Sequence, residues 1–398
     1  MVPKGWSESY LGEVVTYKKG YAFNSSLYAE EGIRIVRISD TTRDSIHSDN
    51  PVFIAGGNVE GLEQYSLFEN DIILSTVGSR PHLLDSMVGK AVKVPRSAHN
   101  SLLNQNLVKL IPKKTKITNE YLFSMLKTKE FIQFISNLVR GNANQVSITL
   151  ADLFKYKFIL PSLLEQKKIA QILSTWDKAI SVTEKLLTNS QQQKKALMQQ
   201  LLTGKKRLLD ENGVRFNGKW EKKLLSDVAD VYQPKTISQS MMSDSGYPVY
   251  GANGVIGFYQ EFNHETEQIA VTCRGSTCGI VNWTQAKSWI TGNAMVINTD
   301  NYSYVSKKFL FYTLNGSDLK YLISGSGQPQ ITGNIKTHII NLPCIEEQQK
   351  IATVLSAADA EIYTLEKKLA CLRDEKKALM QQLLTGKRRV KVDEAVAE

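Results

Sequence analysis

From Ile351 onward, apolar side chains recur at alternating spacings of four and three: Ile351, Leu355, Ala358, Ile362, Leu365, Leu369, Leu372, Leu379 and Leu383, with Lys376 interrupting the series. A heptad seam sustained in this way predicts one long helix that packs against another. The same register applied to an earlier segment gives Ile169, Leu173, Trp176, Ile180, Thr183, Leu187, Ser190, Lys194, Leu197 and Leu201. Here Thr183, Ser190 and Lys194 break the apolar stripe, so a weaker seam is expected. Ser162 and Glu165, just after Pro161, have the spacing of a capping box, whereas Cys344 stands at the equivalent start of the second helix. Gly204 and Gly386 supply a residue tolerant of the left-handed conformation where each helix should end. At about 1.5 Å per residue, some 40 residues make a rod of roughly 60 Å.

A lone rod of this kind would leave its stripe in water, while two rods in one chain bury theirs against each other. An intramolecular coiled coil follows. It should be antiparallel, because each rod begins where its own globular domain ends. The alternative is that the seams pair two copies of the chain.

The two helical segments are copies. "PSLLEQKKIAQILSTWDKAI" from Pro161 aligns without gaps with "PCIEEQQKIATVLSAADAEI" from Pro343, and "KKALMQQLLTGK" occurs twice, at 194–205 and 376–387. Seam packing needs only leucines, yet polar residues beside the seam recur too. Lys194, Lys195, Gln199 and Gln200, with Lys376, Lys377, Gln381 and Gln382, therefore form a candidate face for binding one partner twice.

Between the helices the pattern changes to short apolar runs separated by Gly, Pro and Asn. "GIRIVRIS", "NDIILSTVGS", "GKAVKV" and "NLVKLIP" predict strands in the first half, and "TNEYLFSMLKTKEFIQFISNLV" predicts a helix. In the second half "YPVYGANGVIGFYQ", "QIAVTCRGS", "CGIVNW" and "NAMVINT" predict strands, with helix around "SKKFLFYTL" and "SDLKYLIS". Weaker echoes, such as "GWSESYLGEVV" against "KWEKKLLSDVA", relate the halves. The fold class is α+β: two globular domains of small mixed sheets with helices, and two long antiparallel helices. The expected boundaries are 1–160 and 209–342 for the domains, with 161–208 for the central helix and 343–398 for the distal helix and tail.

The net charge of +10 is uneven. Residues 161–208 hold nine Lys and Arg against three acidic residues, whereas 209–342 and 343–398 are each neutral. The second half must therefore bind any nucleic acid through placed groups rather than a general positive field. Neither a membrane-spanning run nor the pattern of a secretory signal is evident, so a cytoplasmic protein is expected. The four cysteines, Cys273, Cys278, Cys344 and Cys371, lack zinc-site spacing and are read as reduced thiols.

Catalytic signatures are missing. There is no G-x-x-x-x-G-K-[ST] phosphate loop and no Pro-Pro dipeptide, which removes the N-P-P-[YF] motif of amino-methyltransferases. The glycines of "GANGVIG" are read as a hairpin turn, and the five histidines are scattered. Binding chemistry is better represented. Arg34, Arg37, Arg80, His82 and Arg274 with Ser276 sit on strands or beside Gly turns, where arginine can reach base edges bidentately. Amide-rich stretches carry Asn142, Asn144, Gln145, Asn253, Gln328 and Gln330. These twelve residues are the candidate DNA-binding set.

The order variable, shared, variable, shared resembles the DNA specificity subunits of Type I restriction-modification systems. The resemblance is carried by P-x-x-x-E-Q-x-x-I-A-x-x-L at Pro161, Glu165, Gln166 and Ile169 and at Pro343, Glu347, Gln348 and Ile351, by "KKALMQQLLTGK" twice, and by "YPVYGANGVIGFY". It implies two target recognition domains, each reading half of a bipartite site in double-stranded DNA, with helices that set the spacing and dock two adenine-N6 methyltransferase subunits. It also implies restriction subunits joining that core, no catalysis by this chain, and no cofactor bound by it. S-adenosylmethionine, ATP and Mg would serve the partner subunits. The alternatives are a protein-only coiled-coil adaptor and the recognition subunit of a methylation-only complex.

Overall fold

The computed structural model describes residues 2–42, 45–80, 87–139, 146–325 and 328–392. The chain divides into two compact units, residues 1–182 with 369–398, and residues 183–368. Each long helix is shared between them. Leu163–Leu201 and Ile345–Leu383 are both unbroken α-helices of 39 residues.

The units repeat one plan. A four-stranded antiparallel sheet is ordered 15–19, 107–112, 72–75, 91–93 in unit one and 230–232, 294–298, 269–272, 281–283 in unit two. A second sheet contains one parallel pair in each unit, Ile33–Val36 with Ser101–Leu103 and Tyr247–Tyr250 with Trp289–Ile290. Finally, the strand leading into each long helix pairs with the strand that opens the domain, Lys157–Leu160 with Ser7–Tyr10 and Ile339–Leu342 with Glu221–Leu224. That pairing brings Trp6 and Trp220, just before the opening strands, to the helix starts.

Each core joins sheet, short helices and long helices. In unit one Ile72, Leu74, Val108, Phe131 and Ile135 pack with Ile169, Leu173 and Leu383. Ile269, Val271, Ile297, Phe309 and Leu310 pack with Leu201, Ile351 and Leu355 in unit two. The heptad register is confirmed residue by residue, since all twenty seam positions are buried or half-buried. Its polar positions have specific uses. Ser190 donates to Glu361 Oε1 at 3.1 Å, and Lys194 pairs with Asp359. In unit one Trp176 Nε1 donates to Glu375 Oε2 at 3.2 Å, and Lys376 pairs with Asp177. Within each unit the helical segments run antiparallel: Glu165 and Trp176 meet Arg389 and Glu375, and Ser190 and Arg207 meet Glu361 and Glu347.

Three expectations are corrected. The helix foreseen after Thr118 is two helices, Asn119–Met125 and Lys129–Leu138, because the Thr128 hydroxyl donates to Met125 O and accepts from Phe131 N, stopping one helix and capping the next. "SDLKYLIS" forms only a 3-10 turn at Lys320–Leu322, where the Asp318 carboxylate takes the Lys320 N–H. Half of the capping box exists: Ser162 Oγ accepts from Glu165 N, but the Glu165 carboxylate bonds side chains and does not turn back to the Ser162 backbone.

Those side chains form a duplicated clamp. Glu165 accepts from Trp6 Nε1 at 3.0 Å and from Arg389 Nε at 2.8 Å. Glu347 accepts from Trp220 Nε1 at 3.2 Å and from Arg207 through Nε and Nη2, each at 2.6 Å. Each arginine also lies over its tryptophan ring, at 5.4 and 5.6 Å from the centroid. The neighbouring glutamines stitch the same joint. Gln166 bonds Lys116 O, Pro161 O and Thr118 N, and Gln348 bonds Tyr304 O, Pro343 O and Ser306 N. The Glu-Gln pair of the motif therefore fixes a domain to the root of its helix and to the tail of the other helix.

Glu347→Gln is expected to destabilise unit two by about 3 kcal/mol, because Arg207 would keep its charge without a carboxylate. Glu165→Gln should cost less, since the Arg389 side chain is 41% exposed and that of Arg207 19%. Urea unfolding of both variants checks this order, and equal losses would contradict it. Lys194→Ala and Lys376→Ala remove partly exposed pairs and should each cost about 0.5 kcal/mol.

Burial also holds the imidazoles of His264 and His338 below their ordinary pKa of 6.5. His264 faces Tyr232, Asn263, Asp300 and Lys307, and His338 faces Tyr321. The unfolded chain therefore binds more protons just below pH 6.5, and stability should fall as the pH drops from 6.5 through the folded-state values. The double variant His264→Gln, His338→Gln should flatten that slope in melting temperatures measured between pH 7.5 and 5.

Candidate nucleic-acid interface and partner face

In unit two the central strand Ile269–Thr272 ends in an exposed turn. Gly275, at φ +84°, allows the reversal that follows Arg274. The turn is pinned to a second segment: Arg274 bridges Gln330, Gly275 N donates to Pro329 O at 3.0 Å, and Ile331 N donates to Cys273 O at 3.0 Å. Ser324 and Gln330 exchange backbone bonds of 2.9 and 3.0 Å on the far side. Arg274, Ser276, Gln328 and Gln330 come together in this way, all with exposed side chains. Asn253 is exposed beside them in the turn of the "GANGVIG" hairpin, where Gly251 N donates to Gly254 O at 2.9 Å. The Thr272 hydroxyl bonds Ala252 O, so the hairpin turn is mounted on the strand that leads into Arg274. Five of the twelve candidate residues thus share one region of unit two.

Unit one builds the equivalent strand-end pairing. Val77–Gly78 pairs with Val146–Ser147, and Ile148 N donates to Thr76 O at 3.1 Å. Arg80 is exposed just beyond this pairing. His82, Asn142, Asn144 and Gln145 lie outside the described residues. Arg34 and Arg37 are half-buried and engaged within the fold. Arg34 donates to Ser48 Oγ and His47 O, while Arg37 pairs with Asp40 at 2.8 Å and donates to Asn50 O. Together they anchor the segment 37–51, which joins two strands of the second sheet.

On the helices the eight candidate partner residues separate into two groups. Lys194 and Lys376 belong to the seam through Asp359 and Asp177. Lys195, Gln199, Gln200, Lys377, Gln381 and Gln382 are exposed. Both copies end alike, with Gly204 and Gly386 at φ +69° and the backbone N–H of Lys206 and Arg388 returning to Gln200 O and Gln382 O at 3.0 Å. Sequence reasoning missed Asp177, Asp359, Arg207 and Arg389 as partners of the repeat. The signal was available, since all four recur at equivalent places in the two copies. A groove of about 550 Å³ in unit one is lined by Ile172, Trp176, Leu379 and Leu383 and rimmed by Lys168 and Arg388. Among the described residues no group of three or more His, Cys, Asp or Glu could hold a metal ion, and no helix is long and apolar enough to cross a membrane.

Comparison with known proteins agrees with this layout. The family model described as the Type I restriction modification DNA specificity domain matches residues 3–189 and again 217–371. A protein of Methanocaldococcus jannaschii described as the MjaX type I restriction enzyme specificity subunit is 26% identical over 421 residues, spanning 98% of this chain and 95% of its own. The MjaVIII specificity subunit of the same organism is 28% identical over 53% of this chain and 48% of its own. Among solved structures, the S subunit of a type I restriction-modification system from M. genitalium aligns with a TM-score of 0.65 at 16% identity, covering 96% of both chains. A chain from a structure describing complex assembly and conformational transition of the type I R-M system aligns at 0.56 with 17% identity, covering 98% of this chain and all of that one. These two likenesses bear on the fold. The twofold match of the family model, over most of the sequence, decides the rest: the chain belongs to the Type I restriction-modification DNA specificity family.

Proposed function

We propose that each unit reads one half of a bipartite site in double-stranded DNA, with the exposed turns at Arg80 and at Arg274 as the reading elements. One observation carries this: two copies of a single frame each present an exposed arginine just beyond the central strand, Arg80 in unit one and Arg274 in unit two. In unit two Arg274 is the side chain suited to a guanine edge, with Asn253, Gln328 and Gln330 suited to adenine. In unit one Arg80 is the corresponding exposed side chain, and His82, Asn142, Asn144 and Gln145, which lie outside the described residues, are its companions by place in the sequence, while Arg34 and Arg37 act by holding the 37–51 segment. Lysines and arginines elsewhere supply phosphate contacts that are independent of sequence.

The paired helices set the gap between half-sites and dock two adenine-N6 methyltransferase subunits. The exposed Lys195, Gln199 and Gln200 serve one subunit and Lys377, Gln381 and Gln382 the other, with Lys194 and Lys376 orienting the face from within the seam. Restriction subunits join through that core. The chain performs no catalysis and binds no cofactor in this reading, with S-adenosylmethionine, ATP and Mg handled by its partners in the cytoplasm.

Modified-base sequencing of cells with and without the gene should reveal a methylated bipartite motif that disappears with the gene. Exchange of residues 1–160 for those of a relative should change one half-site only. Arg274→Ala should lower methylation about fivefold or more at sites matched in the other half, a cost of about 1–3 kcal/mol for one lost bidentate contact. Inserting one heptad into each helix adds about 10 Å, or roughly three base pairs, to the recognised gap. An unchanged gap would count against the helices as its determinant.

A further inference from the structure

The two units differ most where they are built most alike. The second sheet of each unit contains a hairpin that starts at a left-handed glycine, Gly32 at φ +133° and Gly246 at φ +124°. A Cβ at Gly32 would lie 2.2 Å from Ile54 O, and one at Gly246 would lie 2.4 Å from Tyr259 O, so both hairpins close against the same backbone point. A carbonyl of each turn is then held by a donor at or beside the end of the equivalent central strand. In unit two Ala252 O takes the hydroxyl of Thr272. In unit one Thr41 O takes the ammonium of the buried Lys90 at 2.8 Å, and the Lys90 backbone N–H is bonded to Ser75 Oγ, the counterpart of Thr272. The mount is the same and what it carries is not. Unit one carries the polar segment 37–51, while unit two carries the tight turn 251–254 followed directly by Val255 and Ile256.

Those two side chains are 49% and 52% exposed, and Phe258 on the same strand is 38% exposed. Val255–Tyr259 is an edge strand of its sheet; Ser243 bridges its far end at Phe258, while Val255 and Ile256 at its near end stay exposed. Single exposed apolar residues are ordinary on a protein surface. Two in succession are less so, on a turn tied by Thr272 to the strand that delivers Arg274. Ile256 lies over the turn: a Cβ on Gly251 would come within 2.7 Å of its Cγ2, so the glycine leaves it room. A rigid, β-branched, exposed apolar pair beside arginine and amide side chains matches one feature of duplex DNA. The C5-methyl of thymine is the apolar group in the major groove, next to the base edges that arginine and amides recognise.

We propose that Val255 and Ile256 are specificity-determining residues of unit two, making apolar contact with a thymine methyl in the half-site that Arg274 also reads. This rests on the reading of unit two as a DNA-recognition domain. The half-site of unit two therefore contains a T·A pair, and recognition of it depends on the methyl group.

The test uses the complete complex of this chain with its methyltransferase and a duplex carrying the site found by modified-base sequencing. Each thymine of the unit-two half-site is replaced in turn by deoxyuridine, which removes only the methyl. Binding is measured for the parent chain, for Val255→Ser with Ile256→Ser, and for Arg274→Ala. Serine removes every methyl from the two side chains, and both positions are exposed, so the strand is retained. One deoxyuridine should weaken the parent about fourfold, as expected for one buried methyl group, and should leave the double-serine variant unchanged. Arg274→Ala should weaken both duplexes equally. A half-site without thymine overturns the proposal, as does a deoxyuridine effect of the same size in parent and double-serine chains. Failure of the parent complex to prefer any sequence would instead overturn the DNA-recognition reading of the unit.

Discussion

The fold depends on a buried carboxylate at the root of each long helix. Glu165 and Glu347 would be costly to bury alone, and each is accommodated because an arginine from the tail of the other helix and a tryptophan before the first strand of its own domain converge on it. Three chain segments distant in sequence are joined by one charged group. The seam leucines provide most of the apolar burial, but they are nearly interchangeable along a helix. The clamp is not, and together with the Lys194–Asp359 and Lys376–Asp177 pairs it admits one register and one direction of the helical segments within each unit.

Fixing register in this way matters for recognition because the domains that carry the turns proposed as reading elements are mounted through the same joint. The opening strand of each domain is paired to the strand that enters the helix, and Gln166 and Gln348 bind the loops in front of it. A reading turn is thus connected to its helix by short, hydrogen-bonded links. Discrimination between bases separated by a few ångströms needs such a support, since a loosely tethered turn would satisfy several alignments on DNA. The central strands ending at Ser75 and Thr272 play the corresponding role for the hairpins. Thr272 holds Ala252 O directly, and Ser75 does so through Lys90, whose ammonium holds Thr41 O, which leaves the side chains of each turn free to differ.

The duplication also shows which positions in the repeat are constrained from inside. Lys194, Asp177, Glu165, Gln166 and Arg207 each have a counterpart in the second copy making the same contact in the other unit. Identity at those positions is explained by folding alone. Lys195, Gln199 and Gln200 and their counterparts are exposed, and internal packing gives them no reason to be identical. They are the residues proposed above as a shared partner surface.

Periodicity alone determined much of this protein. A heptad repeat fixes which face of a helix is buried, and the gapless duplication fixes that it happens twice, so both long helices, all twenty seam positions and the α+β character of the domains were legible from the sequence. Strand runs such as 72–75, 107–112 and 294–298 were legible for a similar reason, being apolar on the faces a sheet must cover. Contacts between distant segments were not. Nothing local marks Arg389 as the partner of Glu165, or separates the anchoring Arg34 and Arg37 from the exposed Arg274, because arginine on a strand has the same propensity whether its donors meet a neighbouring loop or water. That choice is made by which loop folds back within hydrogen-bond reach. Only the tertiary structure sets that distance, and with it the division between side chains that hold the fold and side chains left exposed.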